Sequence, residues 1–226
     1  MNKKIEEIIE HFNDKELIKR AFTHKSWVNE NTSNGKTNER LEFLGDAILE
    51  YVVSSFIFDQ FRDKEEGFLT ALRSNIVNTK NLAKLAKEIH VGDQLLLSKG
   101  EEHGGGRSNP ALLADTVEAI IGAIYKDKGL DAASDFIHQY LLSDIDSMLE
   151  LPLKDPKSRL QEFVQSKGKM APRYKVVHQV GPDHNKTFRV QVSVEKDILG
   201  EGEGSSKLKA EQASAEHALA KLGAKA

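Results

Sequence analysis

The run NERLEFLGDAILE, residues 38–50, places a row of acids on one stripe of an otherwise largely apolar helix. Glu39, Glu42 and Asp46 are spaced i, i+3 and i+7, and Glu50 continues the row one turn further. At 100° per residue the four fall within about 80° of one another. Like charges at this spacing repel by about 0.2–0.5 kcal/mol per pair, and only Arg40 is close enough in sequence to offset them. The spacing therefore predicts a helix that must meet something positive brought from elsewhere in the fold.

A second stretch narrows the choice. In ALLADTVEAIIGAIY, residues 111–125, only Asp115 and Glu118 are charged, and they share a face. One turn to either side on that face lie the small residues Ala111 and Gly122, which let another helix approach closely. A buried unpaired carboxylate costs several kcal/mol, and no lysine or arginine is local to this pair. The first acidic row taken alone reads as the wet face of an amphipathic helix, as most acidic rows are. With the second helix the expectation becomes a divalent metal site. Hard oxygen ligands on rigid helices suit Mg²⁺ or Mn²⁺, ions that activate water and stabilise the departing oxygen in phosphodiester hydrolysis.

Periodicity divides the chain. Residues 1–147 read as successive helices, approximately 3–12, 14–22, 39–62, 67–89, 110–126 and 131–149. Asn38 is an expected N-cap, and Asn109-Pro110 pairs an N-cap with Pro at the first helical position. The segment ELPLKDP, with two prolines and two acids, suits an extended linker. Beyond it Ser158–Lys167 is helical, with Leu160, Phe163 and Val164 inward. Pro172–Val180, Thr187–Val194 and Ile198–Gly204 read as strands, and Ser206–Leu222 as an Ala-rich helix. The expected architecture is an all-α domain over 1–148, a linker over 149–156, and an α-β-β-β-α domain over 157–226.

Charge follows the same division: the net charge of −3 splits into −8 before Pro156 and +5 from there on. An acidic front and a basic back suit a metal-using part and a polyanion-gripping part. With no cysteine, disulfides, zinc–thiolate sites and thiol catalysis are excluded, and a reducing cytoplasm is the expected home. No stretch approaches the ~20 apolar residues of a membrane span, and MNKKIEEIIEHF reads as an amphipathic helix, not a signal peptide.

NERLEFLGDAIL together with LADTVEAIIGAIY resembles bacterial ribonuclease III, the double-strand-specific endoribonuclease, and the resemblance covers essentially the whole chain. It implies that Glu42, Asp115 and Glu118 ligate the metal, with Asp46 beside them as the other indispensable acid. Glu39 matches a further acid at the cleft, and Glu66 one contributed near the cutting site across a dimer interface. It also implies a homodimer and hydrolysis by metal-activated water to 5′-phosphate and 3′-hydroxyl ends, on precursor ribosomal RNA and structured transcripts. No organic cofactor is expected. His24 and Ser26, in THKSW, lack a carboxylate partner for nucleophilic catalysis and read as packing or capping residues. EEHGGGRSNP lacks the ending of a phosphate loop and does not follow a strand; it reads as a flexible connection. Arg73, Asn75 and Asn78 suit either RNA backbone or solvent.

The C-terminal domain resembles the double-stranded-RNA-binding domain. Duplex RNA is read through minor-groove 2′-hydroxyls and the intervening phosphates over about 16 base pairs. Three separated contacts are expected: Gln161 on the first helix, His184 in the loop GPDHNK, and Lys207 and Lys209 at the start of the last helix, whose free N–H groups favour phosphate. Leu208 departs from the family, which has a second lysine there. The rival expectations are a non-catalytic double-stranded-RNA-binding protein and a helical phosphohydrolase of small nucleotides.

Overall fold

A computed structural model describes residues 4–31, 35–143, 145, 149, 155–182 and 186–224. The chain forms two compact units, Met1–Leu151 and Pro152–Ala226. The first unit is helical. Its order is α1 Lys4–Glu10, α2 Lys15–Ala21, α3 Lys25–Asn31, α4 Glu39–Gln60, α5 Glu66–Ile76, α6 Thr79–Glu88, α7 Val91–Gln94, α8 Lys99–His103, α9 Pro110–Lys128 and α10 Leu130–Ile137.

Helix α9 runs through the centre. Leu113, Val117, Ile120 and Ile121 are fully buried, and α2, α4, α6 and α10 pack around it. An almost wholly apolar helix has no wet face to offer, so it takes the core position. Its start follows the predicted chemistry: the Asn109 side chain accepts from the Ala111 N–H and Pro110 opens the helix. The other expected cap differs. Asn38 precedes α4, but in right-handed helical conformation and with no side-chain cap bond. Its backbone does the work instead, donating to the Thr23 carbonyl at 2.9 Å while its own carbonyl accepts from Leu41 and Glu42.

The helix expected over 67–89 is two. Asn78 leaves the helical region at φ −73°, ψ 157° and its side chain caps α6 through the Asn81 N–H. The same amide donates back to the Ser74 and Asn75 carbonyls, closing α5. One asparagine ends a helix and begins the next, which apolar periodicity does not reveal. Beyond α10 the backbone makes a π-turn at His138–Leu142; most of the remaining expected helix to 149, and of the linker, lies outside the described residues.

The segment 101–110 is tied down. Arg107 donates through Nη1 to the carbonyls of Gly92 at 2.9 Å and Leu95 at 3.0 Å, and through Nε to Glu102 at 2.6 Å. It is a pinned connection into α9, not the loose one its glycines suggest.

The second unit is α11 Pro156–Ser166, β1 Arg173–Val180, β2 Thr187–Val194, β3 Asp197–Gly204 and α12 Lys207–Lys221. The strands form one antiparallel sheet in the order β1-β2-β3. The two helices cover one face through Leu160, Val164, Val192, Val194, Ala215, Ala218 and Leu219. Helix α11 begins two residues before the expected Ser158, because Asp155 caps it through the Lys157 and Ser158 N–H groups and Pro156 fits the first turn. On β3 the glycines are what allow contact with α12: a Cβ on Gly202 would stand 2.2 Å from the Ser214 nitrogen.

Candidate metal centre and RNA-facing surface

Helices α4 and α9 cross at two glycines. A Cβ on Gly45 would stand 1.8 Å from the Glu118 carbonyl oxygen, and one on Gly122 would stand 2.2 Å from the Leu41 carbonyl oxygen. Backbones this close carry their neighbouring side chains to one point. Glu42 from α4 and Asp115 and Glu118 from α9 each offer an oxygen, all within 4.8 Å of one another, and all three residues are half-buried. At an effective dielectric of about 20, two full charges at such a distance repel by about 3.5 kcal/mol.

The protonation equilibria record that repulsion. Burial, then Asp46, Asp115, Glu42 and Glu50, push Glu118 up to about 8. Glu42 is raised by burial and by Asp115, and Asp115 by burial, partly offset by His24 and Lys25. Glu39 moves the other way: Thr37 Oγ1 donates to it at 3.0 Å and Lys25 Nζ lies 3.3 Å away, which holds its carboxyl below the usual range.

The cations predicted for the acidic row are present only at its ends. Lys25 pairs with Glu39, and Arg73 pairs with Glu50 at 2.8 Å while donating to Ser54 Oγ. Arg73 thus offsets the row at Glu50 while its side chain stays 37% exposed. Among the described residues no lysine or arginine pairs with Glu42, Asp46, Asp115 or Glu118. Half-buried carboxylates from two helices with no protein cation fit a hard divalent ion.

Asp46 is exposed on α4, close enough to Glu118 to raise it. Glu66 is exposed at the start of α5, accepts from Thr70 Oγ1 at 2.8 Å, and is not part of the cluster. A cavity of about 260 Å³ opens beside the acids, lined by His24, Lys25, Asn38, Glu39, Glu42, Leu112 and Asp115. Sequence reasoning missed Lys25 as the partner of Glu39 and set His24 aside, because α3 is joined to the site only by tertiary packing. It also missed Phe43, 80% exposed on α4, with Tyr51 and Phe58 exposed further along the helix. The signal was available: these three apolar residues fall within about 80° of arc on a helix that needs no second apolar face.

In the second unit Gln161 is exposed on α11 and lines a cleft with Asp155, Lys157, Ser158, Pro172, Tyr174, Leu208 and Gln212. Lys207, Leu208 and Lys209 are exposed in the first turn of α12, where Ser206 accepts from the Lys209 N–H. Lys157 ties the two helices, 2.6 Å from Glu211 and 4.8 Å over the Tyr174 ring. Gln161 and the start of α12 therefore border one cleft. His184 lies outside the described residues.

A family model described as Ribonuclease-III-like matches residues 14–145, the span that holds both acidic helices. The chain belongs to the ribonuclease III family. The Double-stranded RNA binding motif matches residues 156–222, so both domains of the family are present. Ribonuclease 3 of Bacillus velezensis is 48% identical over 218 residues, covering 96% of this chain and 88% of that protein. Ribonuclease 3 of Listeria welshimeri is 45% identical over 212 residues, 93% of each chain. The nuclease domain of ribonuclease III from Campylobacter jejuni, a structure described for flexibility in a region involved in dimer formation, is similar with a TM-score of 0.57. It is 40% identical and covers 62% of this chain and 95% of that one. Among the described residues no helix is long and apolar enough to cross a membrane.

Proposed function

We propose that the chain is a Mg²⁺-dependent endoribonuclease that cuts double-stranded RNA to 5′-phosphate and 3′-hydroxyl ends, acting as a cytoplasmic homodimer on precursor ribosomal RNA and structured transcripts. The observation that carries this reading is the meeting of Glu42, Asp115 and Glu118 across two helices, with no lysine or arginine in an ion pair with them among the described residues. These three would hold the ion, with Mn²⁺ as the expected substitute. When bound, the ion supplies an acidified water and positive charge at the scissile phosphate.

The residues themselves do the rest. Glu118 holds its proton up to about pH 8 in the metal-free protein, so taking up a cation near neutral pH displaces that proton. Asp46, exposed next to Glu118, is left to accept hydrogen bonds from water. Thr37 and Lys25 keep Glu39 anionic at the cavity edge, where it positions substrate. Gln161, His184, Lys207 and Lys209 grip the duplex, through the minor groove and through phosphate at the α12 N-terminus. The exposed Phe43, Tyr51 and Phe58 support self-association along α4, which would bring Glu66 of each chain toward the other's cut site.

The test is incubation of the purified protein with a long RNA duplex, first with Mg²⁺ and then with EDTA. Cleavage with Mg²⁺ alone, little cutting of single-stranded RNA, and loss of cutting but not of binding in Glu118→Ala are expected. A duplex bound but never cut would identify a binding protein instead, and rapid cutting of single strands another class of nuclease.

A further inference from the structure

His24 stands at the start of α3, and its backbone is fixed by donation to the Leu96 carbonyl at 3.1 Å. Its ring Nδ1 lies 2.8 Å from Ser26 Oγ and receives the Ser26 backbone N–H at 3.3 Å. A backbone N–H only donates, so Nδ1 must be the acceptor. Ser26 Oγ in turn accepts the Ser98 N–H at 3.0 Å, which leaves its own hydrogen free to point at Nδ1. Both contacts place the ring proton on Nε2. Of the packing or capping roles expected for His24, the capping contact is the one seen, and it uses one nitrogen only. Among the described residues nothing bonds to the other, and His24 lines the carboxylate cavity with Lys25, Glu39, Glu42 and Asp115, near enough to Asp115 to act on its carboxyl.

We propose that His24 is a substrate-contacting residue whose Nε2–H donates to a non-bridging phosphate oxygen of the RNA strand seated at this cavity. This rests on the endoribonuclease reading above. The electrostatics call for such a group. One dication among Glu42, Asp115 and Glu118 leaves the site anionic, with Glu39 and Asp46 beside it, and a phosphodiester brings one more negative charge. Lys25 and His24 supply N–H donors on the cavity wall, and Lys25 is already engaged by Glu39. Fixing the tautomer from behind aims the remaining donor without reorganisation when the strand arrives.

The proposal is tested on the two-domain chain by spectroscopy and by cleavage kinetics. A two-bond ¹H–¹⁵N spectrum of the metal-free protein should show His24 protonated on Nε2; the Nδ1–H tautomer overturns the proposal without reference to activity. Single-turnover cleavage of saturating duplex with Mg²⁺ should fall about 10- to 100-fold in His24→Ala, with KM for the duplex little changed. His24→Gln, which carries an N–H near the Nε2 position, should recover most of that loss. A His24→Ala rate equal to wild type, or a His24→Gln rate no better than His24→Ala, overturns the proposal. If His24→Ala does not fold, the tautomer and the His24→Gln rate decide. A single 2′-deoxy substitution at the cut site that slows the wild type and adds little to His24→Ala shows that the partner is a ribose hydroxyl and overturns the phosphate assignment. Failure of the wild type to cut duplex would sink the functional reading, while the tautomer result would stand.

Discussion

Gly45→Ala adds one methyl group at the crossing on which the metal site depends. That methyl would lie 1.8 Å from the Glu118 carbonyl oxygen and 2.9 Å from the Gly122 nitrogen, where ordinary contact begins at 3.4 Å. Both obstacles are backbone, so the helices must separate by about 1.5 Å, because packed interiors have no slack to absorb the group. Oxygens on opposite sides of a Mg²⁺ ion stand only about 4.2 Å apart, and those of Glu42, Asp115 and Glu118 lie within 4.8 Å of one another, a fit that added separation would spoil. Separation moves Glu42 away from the other two. The expected result is a Mg²⁺ half-saturation for duplex cleavage raised by at least about 10-fold, with a loss of about 1–3 kcal/mol in stability toward urea. Gly122→Ala strains the same crossing from the other side, against the Leu41 carbonyl at 2.2 Å. Once one methyl has pried the helices apart the second costs less, so the double variant should fall short of the sum. A Gly45→Ala protein with the wild-type Mg²⁺ titration and urea midpoint would refute the claim that this contact gathers the acids.

In the metal-free protein, Glu118 keeps its proton to about pH 8 when folded and loses it near 4.5 when unfolded. The folded state binds more protons across that window, so its contribution to stability is full below 4.5 and is lost as pH climbs to about 8. Urea unfolding in EDTA should show this decline, a Glu118→Gln protein should show less of it, and Mg²⁺ half-saturation should tighten over the upper part of the range. Phe43→Asp should yield monomers by sedimentation, with cutting reduced; an unchanged dimer would remove this helix face from the interface. Lys207→Ala should weaken duplex binding uniformly across sequences and lower the slope of log K against log salt by about 1, and Leu208→Lys should raise it by about 1. Slopes that do not move would take these positions out of phosphate contact.

The two domains, the apolar course of α9 and the acids on α4 and α9 were all legible in the chain, because periodicity and charge spacing are local properties. Val190, Val192 and Val194 alternate with polar residues and occupy the buried face of β2, as a period of two requires. The pattern puts Asn78 on one long helix, facing RNA backbone or solvent, whereas it divides two helices, since a side chain that bonds forward and backward leaves no mark on the apolar pattern. What the residues could not announce was partnership across distance. The pairing of Glu39 with Lys25 and of Glu50 with Arg73, and the entry of His24 into the carboxylate cavity, join helices separated in the chain. Composition and spacing decided that acids would line two helices and that a basic domain would follow. Packing at Gly45 and Gly122 decided how closely those acids meet and which were left without a protein cation, because the distance between charges is a property of the folded chain alone.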